Sequence, residues 1–389
     1  MADGIERSLG FYVHVPFCAS RCGYCDFNTY TAAELGNDVS TISRDSWVDY
    51  ALSEVSIARR RMADDARAVS SVFVGGGTPT QVPAAHLVRV LERIGEEFGL
   101  AAGAEITTEA NPDSTTAEYL EEIRAGGFTR ISLGHQSSAA SVLKVLERTH
   151  TPGRTWETVA AAKAAGFEHV NVDLIYSTPG ETDADLRQTL DEVLASGVNH
   201  VSAYSLIVED GTRLAAQVRR GELPMPDDDV AAARYEMIDS ALTAAGMPWY
   251  ELSNWAKPGG QCQHNIGYWR NHDWWGVGPG AHSHVGGIRW WNQKHPATWA
   301  RAVVAGDAAG LMAGSEVPDA AAVALETVML GVRMREGLPL HSLDSTAQAA
   351  LTDLVARGLI EPLALIDPLV VLTLAGRLMA DAVVRELTA

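Results

Sequence analysis

The sequence has little cysteine, and this argues against a large class of proteins. Four cysteines occur in 389 residues, and the Met1-Ala-Asp-Gly start shows no secretory signal. Small secreted domains that are held together by disulfides carry cysteine at a much higher density. We therefore expect reduced thiols and a cytoplasmic protein.

Basic residues are scarce relative to acidic ones. The chain has 30 Lys and Arg against 49 Asp and Glu, which gives a formal net charge of −19. Nucleic acids and anionic membrane surfaces repel a protein of this charge. The composition argues against nucleic acid as a partner and leaves peripheral association with a membrane open.

Long apolar runs are also lacking. The longest candidate, Leu359–Leu374, is interrupted by two prolines and two acidic residues. A membrane-spanning helix needs about 18 uninterrupted apolar residues, so we expect no transmembrane segment.

The few cysteines are concentrated in one segment. Cys18, Cys22 and Cys25 have the spacing C-x3-C-x2-C, whereas Cys262 is distant in the sequence. A [4Fe–4S] cluster normally takes four thiolates, so three would leave one iron open to another ligand. Zinc usually requires paired C-x2-C knuckles or added histidines, and the second pair is missing. The spacing favours a cluster, with a structural metal as the alternative.

Three aromatic residues lie beside these cysteines. We expect His14 to shape or hydrogen-bond the cysteine loop, and a role as fourth cluster ligand is the alternative. Tyr12 and Tyr24 flank the loop, where each would either stack on an adenine or pack against the protein.

From Phe11 to Leu206 the sequence alternates β-branched runs with runs rich in Ala, Leu and Glu, which predicts parallel βα units. The expected strands are Phe11–Val15, Ser71–Val74, Glu105–Glu109, Arg130–Leu133, His169–Leu174 and His200–Leu206. The expected helices are Trp47–Arg61, Ala84–Phe98, Thr116–Arg124, Arg154–Ala165 and Asp183–Ala195. We predict an α/β fold built as an open or partial (β/α)6 barrel, with a doubly wound sheet as the alternative.

A recurring glycine supports this repeat. The glycines that follow a helical run and precede an apolar residue are Gly127, Gly166, Gly197 and Gly246. Glycine commonly ends a helix in this way, and the next apolar residue packs back on the last turn.

The composition changes after residue 245. Seven of the ten tryptophans lie between residues 249 and 291, together with four histidines. From Asp319 the pattern is helical again, around a strand-like pair within Leu359–Leu374. We predict a core domain at 1–245, a Trp- and His-rich connecting segment at 246–310, and a mostly helical, winged-helix-like domain at 311–389.

Polar residues follow the ends of the predicted strands, where parallel sheets carry their chemistry. The segments are the cysteine loop, Gly75-Gly-Gly-Thr-Pro79, Glu109-Ala-Asn-Pro112, Gly134-His-Gln-Ser137, Asn171–Tyr176 and Tyr204-Ser205. The three glycines let the backbone approach a ligand closely, and no glycine motif for nucleotide phosphates is present. Glu109 and Asp173 can accept hydrogen bonds from an ammonium or a ribose; burial against a partner, or a helix cap, is the alternative.

The ordered set of motifs resembles the radical S-adenosylmethionine proteins, and within them the HemN/HemW group, over nearly the whole chain. Further matching segments are Arg130-Ile-Ser-Leu-Gly-His-Gln-Ser137, Asp173-Leu-Ile-Tyr176, Ser202-Ala-Tyr-Ser205 and Tyr250-Glu-Leu-Ser-Asn254. In that family the open iron chelates S-adenosylmethionine, whose reductive cleavage gives a 5′-deoxyadenosyl radical. The resemblance implies that Cys18, Cys22 and Cys25 hold the cluster. It also implies contacts to S-adenosylmethionine from Tyr12, Tyr24, Gly76, Gly77, Thr78, Glu109, Gln136, Arg148 and Asp173.

Two further features divide this group. Anaerobic coproporphyrinogen oxidases carry another cysteine two residues after the third, where this chain has Phe27. The haem-chaperone branch carries H-N-x-x-Y-W, which is His264-Asn-Ile-Gly-Tyr-Trp269 here, followed by Gly276-Val-Gly-Pro-Gly-Ala-His-Ser283.

The resemblance therefore implies haem as cargo, bound near His264, with an electron donor and apo-haemoproteins such as respiratory enzymes as partners. Oxygen-independent coproporphyrinogen III oxidation, or a related radical methylation, is the alternative, so whether the chain is an enzyme stays open.

The chain departs from the family pattern in two places. His135 stands where the family usually has valine, and Ser177-Thr178 replaces the usual Gly-Leu before Pro179. Both segments adjoin the expected cofactor site and put its detailed geometry in question.

Overall fold

The computed structural model describes residues 7–35, 42–149, 151–306, 308–362, 366 and 368–389. The strands are β1 (Leu9–Val15), β2 (Val69–Gly76), β3 (Leu100–Ala110), β4 (Arg130–Gln136), β5 (His169–Tyr176), β6 (His200–Ser205), β7 (Trp249–Glu251), β8 (Asn254–Ala256), β9 (Asp273–Val277), β10 (His282–Val285), β11 (Ile288–Asn292), β12 (Met312–Glu316), β13 (Leu338–Pro339) and β14 (Leu369–Val370). The helices are α1 (Ala32–Leu35), α2 (Trp47–Arg61), α3 (Ala84–Phe98), α4 (Ala117–Ala125), α5 (Ala140–Val145), α6 (Arg154–Ala164), α7 (Asp183–Ser196), α8 (Arg213–Arg219), α9 (Asp228–Ala244), α10 (Gln263–Trp269), α11 (Pro296–Ala305), α12 (Ala308–Leu311), α13 (Ala320–Gly331), α14 (Ser345–Ala356), α15 (Leu374–Leu378) and α16 (Ala380–Leu387).

The six predicted strands form the parallel centre of a larger sheet. The strand order is β12-β11-β10-β9-β1-β2-β3-β4-β5-β6-β8-β7, and β1 to β6 pair in parallel. A doubly wound sheet would reverse its strand order at a switch point, and β1 to β6 run in sequence order instead. Among the described strands β1 and β6 do not pair with each other. The α/β fold with a partial (β/α)6 barrel is confirmed.

The predicted helix-ending glycines adopt the left-handed backbone. The φ angles are 104° at Gly127, 90° at Gly166, 69° at Gly197 and 78° at Gly246. Beyond Gly127, the N–H of Phe128 donates to the carbonyl of Ile123 at 3.2 Å, and Phe128 is fully buried. This hydrogen bond ends the helix and turns the chain into the next strand.

The Trp- and His-rich segment extends the sheet at both of its edges. Strand β9 pairs in parallel with β1, and β10 to β12 continue that edge as antiparallel strands. At the other edge β8 is antiparallel to β6, and β7 pairs with β8. Residues 246–310 thus share the sheet of the predicted core domain, and the proposed domain boundaries stay a prediction.

The C-terminal elements form an apolar cluster of their own. Its buried members include Val328 on α13, Leu354 on α14 and Val383 on α16. Strand β13 pairs with β14, and Ile360 bridges to Leu372 within the predicted strand-like pair. Residues 363–365 and 367 of that pair lie outside the described residues. The region is mostly helical, as predicted.

The sequence predicts no transmembrane segment, because it lacks a long apolar run. Within the part of the chain that the structure describes, no helix is both long enough and apolar enough to cross a bilayer.

A buried carboxylate ties helix α2 to the extended edge of the sheet. Glu54 accepts hydrogen bonds from Gly278 N–H and Trp299 Nε1–H, both at 2.8 Å, and from Asn292 Nδ2–H at 2.7 Å. Burial raises the pKa of Glu54 to about 7, although these three donors oppose the shift. One side chain therefore joins α2 to the β9–β10 turn, β11 and α11.

Replacing Glu54 with alanine leaves three buried donors unpaired, so we expect the free energy of unfolding to fall by about 3 kcal/mol. Because the folded-state pKa is raised, the stabilisation from Glu54 is complete below about pH 4.5 and is lost as pH rises to about 7. Urea denaturation at pH 5 and pH 8, followed by tryptophan fluorescence, measures both effects. Glu92→Ala, at an exposed position on α3, is the control, and an equal loss in both variants would contradict the role of Glu54.

Candidate cofactor site

The three clustered cysteines face one cavity of about 510 Å³. The cavity lies at the carboxyl ends of the parallel strands, and all three thiols are free and half-buried. Of the predicted site residues, those that line this cluster cavity are Cys18, Cys22, Tyr24, Cys25, Gly76, Gly77, Thr78, Glu109, Gln136, Arg148 and Asp173. Convergence at the strand ends therefore brings most of the predicted residues together.

Backbone hydrogen bonds close the cysteine loop. Cys18 N–H donates to the carbonyl of Tyr30 at 3.0 Å, and Tyr30 N–H donates to Pro16 O at 2.7 Å. In the middle of the loop, Gly23 N–H donates to Leu146 O at 3.0 Å. The loop is thus held at its stem and at its tip, which fixes the directions of the thiols.

The glycines after β2 let two chain segments approach each other. Gly76 has φ +109°, and a Cβ there would lie 2.5 Å from the ring of His14. A Cβ on Gly77 would lie 2.6 Å from the carbonyl oxygen of Phe17. Any larger residue would push the glycine segment away from the stem of the cysteine loop.

Two side chains direct hydrogen-bond donors at the thiols. Nη1 of Arg148 lies 3.6 Å from Sγ of Cys22, and Nη2 donates to the carbonyl of Gly134 at 2.8 Å. A Cβ on Gly134 would lie 2.7 Å from Nη2, so a larger residue there would displace the guanidinium group. Oγ1 of Thr78 lies 3.8 Å from Sγ of Cys18. These donors would stabilise thiolates in the cavity.

Two half-buried carboxyl groups line the same cavity. Burial, and the nearby charge of Asp173, raise the pKa of Glu109 to about 8, although Gly76 N–H donates to it at 3.2 Å. Burial also raises the pKa of Asp173, against hydrogen bonds from Ser132 at 2.9 Å and Asn171 at 2.8 Å. Two desolvated carboxyl groups at one cavity favour a ligand with positive charge or with hydroxyl donors.

The donors present fit an iron–sulfur cluster with one open iron. Three thiols surround one cavity, and donors stand beside two of them. Within the described residues no three His, Cys, Asp or Glu side chains converge on a single metal ion. A cubane cluster attaches each thiolate to a different iron, so it needs the thiols only around a shared space.

Tyr12 does not line the cluster cavity. Side chains alternate along a strand, so Tyr12 and His14 point to the same face of β1, and Tyr12 Oη lies 3.0 Å from His14 Nδ1. Nε2 of His14 lies 2.9 Å from the carbonyl oxygen of Asn28, and burial lowers the pKa of His14 to about 4. Both ring nitrogens of His14 are engaged, which favours its predicted role in shaping the loop over that of fourth ligand.

His264 lies in the interior, outside the cluster cavity. Nδ1 is 2.9 Å from Ser71 Oγ and Nε2 is 2.8 Å from Tyr268 Oη. The backbone N–H of His264 donates to the carboxylate of Glu105 at 3.1 Å. Glu105 in turn forms an ion pair with buried Arg130 at 2.9 Å. Burial lowers the pKa of His264 to about 3. Ligation of haem iron by His264 would require one of the two ring hydrogen bonds to break.

The two departures from the family pattern have local explanations. His135 points away from the cavity and packs on Trp156, with Nδ1 3.0 Å from Thr155 Oγ1. Ser177 has φ +62°, a conformation that favours the usual glycine. Glu181 accepts a hydrogen bond from Ser177 N–H at 2.6 Å and stabilises that turn. Neither departure changes the wall of the cavity.

Some residues of the cluster cavity were not predicted from the sequence. Ile175, Ile207 and Glu209 line the cluster cavity as well. Ile175 lies two residues beyond Asp173 on β5, so strand alternation alone could have indicated it. Ile207 and Glu209 follow β6 in an irregular segment, for which the sequence carries no periodic signal.

Comparisons with known proteins give consistent relatives. Residues 12–193 match the Radical SAM superfamily. The protein named heme chaperone HemW from Mycobacterium tuberculosis is 51% identical over 381 residues, covering 98% of this chain and 95% of that protein. Heme chaperone HemW from Lactococcus lactis is 34% identical over 288 residues, covering 74% of this chain and 73% of that protein.

One solved structure shares the fold over the whole chain. Coproporphyrinogen III oxidase (HemN) from Escherichia coli aligns with a TM-score of 0.81 at 22% identity, covering 100% of this chain and 92% of that one. At this identity the similarity shows the fold.

The raised pKa of Glu109 gives a testable pH dependence. A cationic ligand favours the ionised carboxylate, so we expect the affinity for S-adenosylmethionine to rise with pH up to about 8 and then to level off. Glu109→Gln removes the titrating group, so its affinity should be about tenfold weaker at pH 8.5 and less dependent on pH. Calorimetric titration of anaerobically reconstituted protein at pH 6.5 and 8.5 measures this.

Glu209→Gln is the matched control, because Glu209 is an exposed carboxylate at the same cavity. Titration of the cluster and of the ligand is common to all three proteins and cancels in the comparison. A Glu109→Gln variant with the pH profile of the unmodified protein would contradict the assignment.

Proposed function

Because the chain belongs to the HemN/HemW family of radical S-adenosylmethionine proteins, we propose that it is a haem chaperone, which binds haem and delivers it to apo-haemoproteins. The observation that carries this proposal is the 51% identity to a protein named heme chaperone HemW, which extends over 98% of the chain. An alignment of that extent includes the cysteine loop, the strand-end residues and the C-terminal elements.

Membership of the family implies a [4Fe–4S] cluster and S-adenosylmethionine. We assign the three cluster ligands to Cys18, Cys22 and Cys25. When bound, the cluster would supply single electrons to a molecule on its open iron, and these would come from a separate electron donor. Reduced thiols of this kind fit a cytoplasmic protein.

The residues around the cluster would bind and orient S-adenosylmethionine. Glu109 and Asp173 would accept hydrogen bonds from its ammonium or ribose groups, and their buried charge would match the sulfonium. Gly76 and Gly77 leave room for the ligand beside the backbone. Tyr24, Gln136, Thr78 and Arg148 share the same wall. Tyr12 lies outside that wall, so we do not propose that it contacts S-adenosylmethionine.

Phe27 distinguishes the proposal from coproporphyrinogen oxidation or a related methylation. It lines the cluster cavity and is 59% exposed, at the position where the oxidases carry a further cysteine. A phenyl ring offers no thiol to donate a proton or hydrogen atom. The absence of that thiol supports a cargo that is held near the cluster over a substrate that is converted there.

We propose that His264 acts in haem binding through its neighbour Tyr268. Its ring supports Tyr268, whose own ring contacts Trp274 edge to face at 4.7 Å. We propose that His264 positions these two aromatic side chains for a flat macrocycle. Loss of His264 would then weaken haem binding without removing an iron ligand.

Paired assays on anaerobically reconstituted protein test the function. We expect haem uptake at micromolar concentrations, about four irons with labile sulfide per chain, and no protoporphyrinogen from coproporphyrinogen III. A variant with all three loop cysteines replaced by serine should lose the labile sulfide. Cys262→Ser is the control, because buried Cys262 lies 3.3 Å from Glu105, away from the cluster cavity, and should retain the sulfide.

Each contrary result points to a different conclusion. Absence of haem uptake would exclude the chaperone role. Formation of protoporphyrinogen together with 5′-deoxyadenosine would establish the oxidase. Bound metal without labile sulfide would indicate a structural metal.

A further inference from the structure

A second cavity, of about 1040 Å³, shares the wall formed by the cysteine loop. It lies between β1, the loop residues 26–30, the β9–β10 turn and helix α13. Phe27 lines both cavities. Ligand cavities are typically ~300–1,000 Å³, so this one has room for a large flat molecule beside the cluster.

The β9–β10 turn and the segment after β11 both contact the cysteine loop. Nδ2 of Asn28 donates to the carbonyls of Pro279 at 3.0 Å and Lys294 at 2.8 Å, and Tyr30 Oη donates to Lys294 O at 3.2 Å. A Cβ on Gly280 would lie 2.5 Å from Asn28 Nδ2. The glycine-rich motif that follows H-N-x-x-Y-W in the sequence therefore builds a wall of the second cavity.

His282, the first residue of β10, presents its imidazole to this cavity. The ring stacks on Trp291 at 5.8 Å, and its nitrogens have no hydrogen-bond partner among the described residues. The side chain of His282 is exposed, so its imidazole is open to a ligand in this cavity. In contrast, His264 has both nitrogens engaged, and Nδ1 of His295 accepts a hydrogen bond from a backbone N–H.

The cavity also presents a cation without a partner. Arg21 pairs with Glu34 at 3.4 Å, and Arg289 pairs with Glu326 on α13. Lys294 forms no ion pair with any residue that the structure describes, and its side chain is exposed to the cavity. An anionic ligand would therefore meet an uncompensated ammonium there.

Aromatic side chains supply flat apolar surface on the same walls. Phe27, Tyr268 and Trp274 line the cavity, and Met329 and Leu330 of α13 face them. A carboxylated macrocycle with a central iron needs this combination of apolar faces, a cation and an open imidazole.

Resting on the proposed role in haem binding, we propose that this second cavity holds the haem, with the imidazole of His282 as ligand to its iron and the ammonium of Lys294 paired with a propionate. The cargo then lies across Phe27 from the cluster cavity. The Asn28 hydrogen bonds hold the cysteine loop against the wall that carries Lys294.

Haem and metal-free protoporphyrin IX, titrated against the same variants of the full chain, test the assignment. His282→Ala should weaken haem binding by about tenfold or more and remove the absorption and electron paramagnetic resonance features of histidine-ligated iron. Added imidazole should restore those features, and binding of the metal-free porphyrin should be unchanged. Lys294→Gln should weaken both ligands alike, because both carry propionates.

His295→Ala is the matched control, since His295 is an exposed histidine on the same cavity that is given no role in binding. It should bind both ligands as the unmodified protein does. Iron and sulfide content and circular dichroism verify that each variant is folded.

The outcomes separate this inference from the proposed function. If the unmodified protein binds haem and His282→Ala keeps the same affinity and spectrum, the assignment of His282 is overturned and the chaperone role stands. If His264→Ala alone removes the histidine signature, the iron ligand is His264. If the unmodified protein binds no haem, both proposals are overturned.

Discussion

Two backbone hydrogen bonds hold the cysteine loop against the sheet, and the rest of the site depends on them. Gly77 N–H donates to Val15 O and Thr78 N–H donates to Phe17 O, each at 2.8 Å. Only glycine at position 77 allows the two segments to lie this close, because a Cβ would meet the Phe17 carbonyl oxygen at 2.6 Å. The contact continues the pairing of β1 with β2 beyond the strand ends. It places the cysteine loop beside the glycine segment, where Gly76 N–H donates to Glu109 at 3.2 Å.

The cavity formed in this way holds a carboxyl group whose ionised form is unfavourable without a ligand. Burial and the nearby charge of Asp173 raise the pKa of Glu109. Arg148 compensates only in part, because one of its nitrogens is committed to the carbonyl of Gly134. A cationic ligand would relieve this repulsion, and functional sites commonly store unfavourable electrostatics of this kind.

Much of this arrangement could be predicted from local sequence patterns. Strands β1 to β6 and their helices follow periodicity and helix-ending glycines, and the cluster cavity follows from where parallel strands end. The pairing of β9 with β1 could not be predicted, because it joins residues about 260 positions apart. The hydrogen bonds of His264 could not be predicted either, because its partner Ser71 lies 193 residues away in the sequence. The sequence alone does not reveal that both ring nitrogens are engaged. Non-local packing decides which histidine has free ring nitrogens, and on that ground we propose His282 as the haem ligand, whereas the sequence predicts haem near His264.

We propose that three thiolates leave one iron open beside Glu109 and Asp173. Electron paramagnetic resonance of the anaerobically reconstituted, reduced protein, recorded with and without S-adenosylmethionine, tests it most directly. We predict that the spectrum of the reduced cluster changes when S-adenosylmethionine is added. The Glu109→Gln variant should need a higher concentration of S-adenosylmethionine for the same change than the unmodified protein. A cluster whose spectrum is the same with and without saturating S-adenosylmethionine would contradict the account.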